Sequence, residues 1–511
     1  MSLLDIPQIS TVSLFLGAII LAWIIIWVCQ AVYNVFLHPL RSIPGPTLWI
    51  AFPLVRDITA CLGYYDIKIR QYHERYGEVL RYGPNDISFT SASAWKDIYG
   101  HRHPQLPKAI GRLPGPAPDI LIANDADHAR FRKALSYGFS DRGSRAQEDL
   151  IKVYIDLFIE KLHKGAATGA IMDMVKWYNL TTFDIIGDLS FGESFHGLES
   201  EDYHSWVKTL FLGIKMVPFQ RLMEEHPLVA KVAEMLLSKG LRAKAAEHRE
   251  FARLTAMKRM ERTSQHGRGD FMDSMLKHRG TKDGLSDDEL AAHAFVLIFA
   301  GSETTATLLS GVTYWLLRTP DTLRRAIQEV RSTFESDQEI NFASTAAKLP
   351  YMEACLTEGL RMYPPVPTNI PRMCLPEATI SVNGFKLPPG TTVSVHHSAA
   401  YWSARNFYQP RTFAPERWLP AASSDPGSVF YNDNRGVFQP FSFGPRNCIG
   451  RNLAYNEMRV ILAKVLWNFD LELCEESHDW AEQKSYVLWE KPGLLCRLRK
   501  RDFEYRLEQE N

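Results

Sequence analysis

The N-terminal segment is the feature that most restricts how this chain can fold, because it has no charged side chain over a length greater than the thickness of a membrane. No Asp, Glu, Lys or Arg occurs from Ile6 to Leu40, and the centre of the segment reads LFLGAIILAWIIIWV. About 20 apolar residues, each adding about 1.5 Å to a helix, span the hydrocarbon core of a bilayer. Residues 1–35 are therefore predicted to be a transmembrane anchor.

A cleaved signal peptide is the alternative to a retained anchor. Such a peptide needs a basic start and small residues at its cleavage site. This chain starts with MSLLD, and bulky residues follow Trp23 and Trp27. The first basic residue, Arg41, comes after the span, so the positive-inside rule places the body in the cytosol. We expect a single-pass membrane protein of the endoplasmic reticulum.

Prolines dominate the segment that follows the span, which reads HPLRSIPGPTLW. Pro39, Pro44 and Pro46 fix φ and remove backbone donors, which favours a stiff and extended link. Residues 36–48 are predicted to be this linker, and residues 49–511 a single large domain.

Composition excludes several classes of protein. The 511 residues are 46% hydrophobic and 23% charged, as in a folded globular protein. Lys and Arg number 58, the same as Asp and Glu, so no overall field favours a nucleic-acid partner. The seven cysteines are scattered without a CxxC pair, which argues against a disulfide framework and against a zinc site.

Hydrophobic periodicity predicts a body that is mainly α with small β-sheets. Strand-like alternation is confined to short pieces such as VLRYGPNDISFT and TISVNGFKLPPGTTVSVH, where Gly and Pro mark the turns. The predicted helices are Asp125–Phe139, Asp149–Leu162, Leu228–Arg262, Asp287–Arg318, Thr322–Phe334 and Thr345–Met362.

One cysteine lies in an unusual loop, FSFGPRNCIG, from Phe441 to Gly450. A nucleophilic thiolate needs a nearby base and a redox thiol needs a resolving cysteine, and neither accompanies Cys448. An axial ligand on haem iron needs neither, only donors to the sulfur and a cation for a propionate. Gly444 and Gly450 supply exposed backbone N–H groups, and Arg446 supplies the cation. A buried structural cysteine is the plainer alternative.

Three further motifs have ordinary explanations when each is taken alone. Glu358 and Arg361 in EGLR have the spacing of a helix-surface ion pair. The hydroxyl of Thr304 in AGSETT can bond its own helix at position i−4. His128 and Arg132 in HARFRKALSYGFS share one helix face. A solvated basic face is the plainer interpretation, notably for Arg130 and Lys133.

Five separated motifs in this order resemble those of the cytochrome P-450 haem-thiolate monooxygenases. In chain order they are HARFRKALSYGFS, AGSETT, EGLR, FAPERW and the cysteine loop, and the likeness runs from the anchor to nearly the C-terminus. The resemblance implies the cytochrome P-450 fold, a single large haem-binding domain behind an N-terminal transmembrane helix. It also implies monooxygenase activity.

The same resemblance implies haem b as the cofactor, with the Cys448 thiolate as the metal ligand. Arg446, Arg132 and Arg372 match propionate-binding arginines, Arg372 within VPTNIPRMC. Family members often carry tryptophan where this chain has a histidine, so that contact is absent here. The other cofactor-binding positions implied are His128, Phe441 and Gly450.

On the opposite face of the haem, the resemblance implies catalytic roles for Thr304 and Glu303, in a widened helical groove where dioxygen and water bind. His293, about three turns before Thr304, is interpreted as a core or channel histidine, with the substrate cavity as the alternative. The implied substrate-pocket residues are Val296, Ala300, Val366, Thr368 and Asn369. The implied structural lock behind the haem loop is Glu358, Arg361 and Arg417.

Electrons must come from a partner, because no GxGxxG opens a helix after a strand in this chain. The resemblance implies an NADPH-dependent flavoprotein reductase in the same membrane, so NADPH acts only indirectly. Basic residues such as Arg130, Lys133 and Arg451 are expected docking contacts.

Stretches such as AYWSARNF look most like fungal members that tailor secondary metabolites. The implied pocket is mainly apolar, so a lipophilic small molecule and O2 are the expected substrates. Two alternatives stay open. One is a haem-thiolate isomerase or dehydratase that does not use O2, and the other is a non-catalytic, membrane-tethered haem protein.

Overall fold

The computed structural model describes residues 11–101, 104–109, 117–236, 254–255, 257–259, 261, 269–277, 279–281, 284–368, 370–377 and 379–501. Helices make up most of this part of the chain. The α-helices are Thr11–Val32, Thr47–Ala51, Pro53–Cys61, Tyr65–Tyr76, Ala92–Tyr99, Asp125–Leu135, Asp141–Thr168, Met174–Phe191, Gly197–Ser200, Ser205–Glu225, Pro227–Leu236, Phe271–Leu276, Asp287–Arg318, Pro320–Thr333, Phe342–Lys348, Pro350–Met362, His397–Tyr401, Pro420–Ser424 and Arg451–Asn468. The strands are Val79–Arg81, Asp86–Phe89, Ile171–Asp173, Arg372–Met373, Ile380–Val382, Phe385–Leu387, Thr392–Val395, Phe469–Leu473, Ser485–Tyr486, Leu488–Trp489 and Leu495–Lys500.

The N-terminal helix, Thr11–Val32, exposes most of its described apolar side chains from Phe15 onward and continues as one π-helical turn. Over Gly17–Leu37 only 6% of the most apolar window is buried against protein, as a membrane anchor requires.

The proline-rich segment after this helix lies against the body rather than standing free. Leu40 and Ile43 are buried, and the N–H of Arg81 donates to the Pro44 carbonyl at 2.9 Å. A Cβ on Gly45 would lie 1.7 Å from the Arg81 carbonyl oxygen, so only glycine fits at this contact. The segment therefore packs on the first strand of the main sheet.

The centre of the body is a pair of buried helices. The longer, Asp287–Arg318, is called the central helix below, and it begins with a capping box between Ser286 and Glu289. It packs along Met174–Phe191, whose residues are buried on every face. The contact is close because Gly301 faces Ile186, where a Cβ would come within 2.6 Å of a side-chain carbon.

The largest sheet has four strands in the order Val79–Arg81, Asp86–Phe89, Thr392–Val395 and Arg372–Met373. The second and third strands are parallel, and the fourth pairs antiparallel with Arg372 opposite Val393. This register brings Arg372 from the end of a long connection to the edge of the site described below.

The mainly α prediction is confirmed, with differences at helix ends. Asp287–Arg318 has its predicted bounds. The predicted Thr345–Met362 is two helices, because Pro350 cannot continue the first and starts the second. Asp149–Leu162 is the middle of Asp141–Thr168, which begins earlier because Ser140 caps it.

Two other predicted helices differ in extent. Asp125–Phe139 ends at Leu135. Of the predicted Leu228–Arg262, the structure describes a helix over Pro227–Leu236, and most of the remainder lies outside the described residues.

Candidate active site

The cysteine loop, Phe441–Gly450, is wound tightly enough to expose its thiol. The N–H of Cys448 donates to the Phe441 carbonyl at 2.9 Å, which closes the loop. Gly444 has φ +76°, and a Cβ there would lie 1.9 Å from the Tyr99 carbonyl oxygen. The loop therefore needs glycine at 444, and it delivers Cys448 to the start of the helix Arg451–Asn468.

Cys448 differs from the other cysteines in its surroundings. All seven cysteines lie among the described residues and are free, and of these Cys448 and the anchor's Cys29 are exposed. Protein packed around Cys448 raises the pKa of its thiol, while the Gly450 N–H and the cations Arg132 and Arg451 oppose that shift. A metal ion would remove the proton and use the same donors to stabilise the thiolate.

Two arginines tie the cysteine loop to the helix Asp125–Leu135. Arg132 donates to the Asn447 carbonyl at 2.8 Å and to the Asn447 side-chain oxygen at 2.6 Å. Arg446 donates to the Ala123 carbonyl at 2.8 Å and pairs with Asp125 at 2.6 Å. Charge-assisted hydrogen bonds of this kind hold both guanidinium groups in fixed positions beside the thiol.

Basic side chains gather on the same side of the loop. Burial and positive neighbours lower the pKa of Arg372 to about 10, that of His128 to about 4 and that of Lys108 to about 7. Arg372 is 4% exposed, and its Nη1 has no hydrogen-bond partner within the described part of the chain. A buried, unpaired donor among like charges is costly unless an anion binds there.

These residues fit haem b. Cys448 offers a thiolate, and Arg372, with Arg132, Arg446 and His128, offers donors for two propionates. Lys108 is a cation that sequence reasoning missed. It forms a β-bridge with Arg372 and donates from Nζ to the Leu121 carbonyl at 2.5 Å. No motif marks it, because only the fold brings it to this cluster.

Thr304 lies on the central helix, which is α-helical throughout. Its Oγ1 donates to the Ala300 carbonyl at 2.7 Å, the local i−4 bond that such a residue can make without any functional role. Thr304 is nevertheless partly accessible and Ala300 is exposed, in a stretch whose other neighbours are mostly buried. The central helix therefore presents a small-residue surface here.

Glu303 is directed elsewhere. Its carboxylate is 4% exposed and forms an ion pair with Lys491 near the C-terminus. The same ammonium group donates to Thr307 Oγ1 at 2.6 Å. The acid and the alcohol are adjacent in sequence, yet the structure gives each a different partner.

The expected pocket residues differ in exposure. Val296 is 4% exposed, and Val366 and Thr368 are half-buried. The Val366 carbonyl accepts from His397 Nδ1 at 2.9 Å, which fixes the segment after the helix Pro350–Met362. Asn369 lies outside the described residues.

Glu358 is the centre of a fully buried polar cluster behind the cysteine loop. Arg361 donates to its two oxygens at 2.7 and 2.8 Å, and Arg417 donates at 3.1 Å. Trp418 adds a bond from Nε1 at 2.8 Å. Glu358, Arg361 and Arg417 thus contact one another, and the tryptophan in place of phenylalanine contributes a donor as well as an aromatic ring. Arg417 also pairs with Asp433, which sequence reasoning missed.

His293 and Arg130 both have defined partners near the start of the central helix. His293 is fully buried, with Nδ1 bonded to the Glu289 carbonyl at 2.7 Å and its ring against Phe131, in agreement with a core histidine. The expectation that Arg130 is a solvated basic residue is wrong. Arg130 forms an ion pair with Glu289 at 2.6 Å and donates to the Gly284 carbonyl, because the central helix begins beside it.

A mainly helical fold that holds the accessible Cys448 thiol beside buried basic side chains meets the requirements of a haem-thiolate site. The family model described as Cytochrome P-450 matches residues 45–497. The chain belongs to the cytochrome P-450 family. Members bind haem b through a cysteine thiolate and take electrons from a reductase.

Related proteins carry names of oxygen-incorporating oxidoreductases. The chain is 50% identical to "Trichothecene C-4 hydroxylase" of Trichoderma arundinaceum, over 92% of this chain and 94% of that protein. It is 50% identical to "Cytochrome P-450 monooxygenase olcB" of Penicillium canescens, over 92% and 96%. It is 41% identical to "Averantin hydroxylase" of Dothistroma septosporum, over 94% and 91%. The enzyme is a cytochrome P-450 monooxygenase.

Proposed function

We propose that this enzyme hydroxylates a lipophilic small molecule in fungal secondary metabolism, using O2 and electrons from an NADPH-dependent flavoprotein reductase. The observation that carries the proposal is the fixed Cys448 thiol beside the cations of Arg132 and Arg372. The names of the trichothecene and averantin hydroxylases support hydroxylation as the reaction.

Haem b held by Cys448 would supply the chemistry, which is the reductive activation of O2 and the transfer of one oxygen atom to a C–H bond. Arg132 and Arg446 would orient it through its propionates, because hydrogen bonds to backbone and Asn447 already fix their guanidinium groups. Arg372, whose Nη1 lacks a protein partner among the described residues, would take the other propionate.

The protein would also control protons and water on the opposite face. The Thr304 hydroxyl donates a hydrogen bond to the Ala300 carbonyl, which leaves the Oγ1 lone pairs free to accept a hydrogen bond from another donor. The apolar side chains of Val296 and Ala300 limit how much water enters. The Thr304 hydroxyl and the two apolar side chains would together leave one ordered hydrogen-bond path for protons in surroundings that are otherwise apolar.

The location follows from the N-terminal helix. We propose residues 1–35 as a single-pass anchor, 36–48 as a linker and 49–511 as the catalytic domain, in the endoplasmic reticulum membrane and facing the cytosol. The exposed apolar side chains between Phe15 and Val32 support the anchor. A lipophilic substrate would reach the enzyme through the same membrane.

Replacement of the thiolate tests the proposal. The reduced carbon-monoxide complex is expected to show the red-shifted Soret band of thiolate-ligated haem, and Cys448→His to lose that band together with turnover. Cys355→Ala is the matched control, because this cysteine is buried in the helix Pro350–Met362 and should leave the band in place. A thiolate band retained in Cys448→His would refute the ligand.

A reconstituted system tests the reaction class. Membranes with reductase, NADPH and extracts of the producing organism should yield a metabolite heavier by one oxygen atom, with labelled O2 incorporated. Turnover of a substrate without O2 would favour the isomerase or dehydratase. No turnover at full haem content would favour a non-catalytic haem protein.

A further inference from the structure

Lys491 forms a buried ion pair with the acid of the central helix. Its Nζ pairs with Glu303 Oε1 and donates to Thr307 Oγ1 at 2.6 Å. The side chains of Lys491 and Glu303 are 3% and 4% exposed. In an ion pair buried this completely, each charge stabilises the other, and the loss of one partner leaves an uncompensated buried charge.

The segment that carries Lys491 is itself fixed to the body. Trp489, two residues before it, donates from Nε1 to the Pro364 carbonyl at 2.8 Å and stacks on Tyr363 with ring centroids 5.0 Å apart. Tyr363 in turn packs against Gly311 of the central helix. The ammonium group is therefore held at a defined position relative to that helix.

The surroundings leave Glu303 dependent on this one cation. Glu303 Oε2 has no hydrogen-bond partner in the described part of the chain, and the ion pair described for Glu303 is the one with Lys491. Tyr363 and Tyr203 both have pKa values raised by burial and, to a smaller extent, by the Glu303 charge. Without Lys491 the carboxylate would be a single buried charge and would take up a proton.

We propose that Lys491 is a positioning residue for the monooxygenase reaction, which keeps Glu303 ionised and beside Thr307 so that it does not compete for the neighbouring Thr304 hydroxyl. This inference rests on the proposed function. Lys491 does not touch substrate or cofactor and acts only through Glu303. Its loss would leave a neutral, mobile carboxyl next to Thr304. This carboxyl would supply protons before the substrate is correctly bound, and O2 would then be released as peroxide instead of being used for product.

The experiment compares Lys491→Gln and Lys491→Arg in the full-length holoenzyme with reductase. Lys491→Gln should lower product formed per NADPH oxidised by about 10- to 100-fold, as for other groups that orient a functional side chain. Peroxide should rise in step, and Lys491→Arg should restore much of the coupling because it keeps the charge. Lys464→Gln is the matched control. It removes another fully buried lysine, paired with Asp156 at 2.6 Å, away from Glu303.

Two further readouts separate positioning from general stability. The infrared spectrum of Lys491→Gln should gain the carbonyl band of a protonated carboxylic acid, and E303Q/K491Q should lack it. On the E303Q background, Lys491→Gln should change coupling little, because the residue acts through Glu303. E303Q/K491Q also removes both buried charges, so this comparison stands even if Lys491→Gln fails to fold.

Unchanged coupling in Lys491→Gln, an equal loss in Lys464→Gln, or an additive loss on the E303Q background would overturn the role. The proposed function fails separately, when the wild-type enzyme makes no oxygenated product. In that case the infrared band still reports whether Lys491 holds Glu303 ionised.

Discussion

Arg132 holds Asn447, the residue before Cys448, by two hydrogen bonds, one to its backbone carbonyl at 2.8 Å and one to its side chain at 2.6 Å. One guanidinium group thereby ties the helix Asp125–Leu135 to the cysteine loop across 315 residues of sequence. The contact makes Arg132 a support of the loop itself, in addition to its proposed role toward a propionate.

Arg132→Gln should therefore weaken both functions. We expect lower haem retention and a larger fraction of protein without the thiolate spectrum, because each charge-assisted bond contributes about 1.5–3 kcal/mol. The measurement is haem content and the carbon-monoxide spectrum at matched protein concentration. Arg130→Gln is the control. Arg130 lies on the same helix as Arg132, but it pairs with Glu289 of the central helix and not with the cysteine loop. Equal haem loss in both variants would contradict a specific role for Arg132.

Lys108 should make haem retention depend on pH. In the ligand-free chain, burial and the nearby Arg372 and Arg446 lower the pKa of Lys108 from its ordinary value of 10.5 to about 7. A propionate would favour the charged form and raise that pKa, so haem binding takes up a proton above pH about 7. Retention should fall as the pH rises through the raised value, where the lysine loses its charge.

Haem transfer to excess apomyoglobin, measured from pH about 7 to about 10, checks this expectation. Lys108→Met should lose haem faster at pH about 7 and lack this dependence, whereas Lys108→Arg should stay charged and retain haem across the range. A wild-type profile that is flat, or that matches Lys108→Met throughout, would exclude Lys108 from the propionate site.

The proline-rich segment gives a prediction about stability. A chain that begins at His38 lacks the anchor helix but keeps Leu40, Ile43 and the bond from Arg81 to Pro44. It should leave the membrane to a large extent and keep its haem spectrum. A chain that begins at Thr47 also loses the buried Leu40 and Ile43, each worth about 1.5–3 kcal/mol when fully buried, and should unfold at a lower temperature. Equal Tm values for the two chains would show that the segment only links.

The sequence predicted the parts of this site that lie close together along the chain. The cysteine loop closes through a local backbone bond, and Glu358 pairs with Arg361 at i, i+3, although the pair is fully buried and not on the helix surface as the spacing alone suggested. Gly301, inside AGSETT, allows the close contact of the central helix with Ile186, which local spacing could not show.

Contacts between residues that are far apart in the sequence could not be predicted from local spacing. Lys491 lies 188 residues beyond Glu303, in a strand-and-loop region with no motif. Lys108 reaches the cations only because the sheet places Arg372 beside it. Arg130 was assigned to solvent because helix periodicity cannot show that Glu289 begins another helix alongside. In each case the deciding contact depends on tertiary packing.

Thr304 offers the last test, because its one observed bond is also what a purely structural threonine would make. The hydroxyl donates to Ala300 at 2.7 Å, and Ser310 makes the same bond to Ala306 at 2.7 Å on the same helix, although fully buried. If Thr304 serves only the helix, Thr304→Ala and Ser310→Ala should behave alike. Such back-bonds add little to stability, so both variants should fold and keep their haem.

If the hydroxyl positions protons, only Thr304→Ala should uncouple the enzyme. Positioned proton transfer contributes about 10² to 10⁴ in rate, so product per NADPH should fall by about 10-fold or more while peroxide rises. Thr304→Ser should keep much of the coupling, since it retains the hydroxyl. Thr304→Val keeps the branched shape without the hydroxyl and should match Thr304→Ala. Full coupling in Thr304→Val at normal haem content would assign the residue to packing alone, since shape would then suffice.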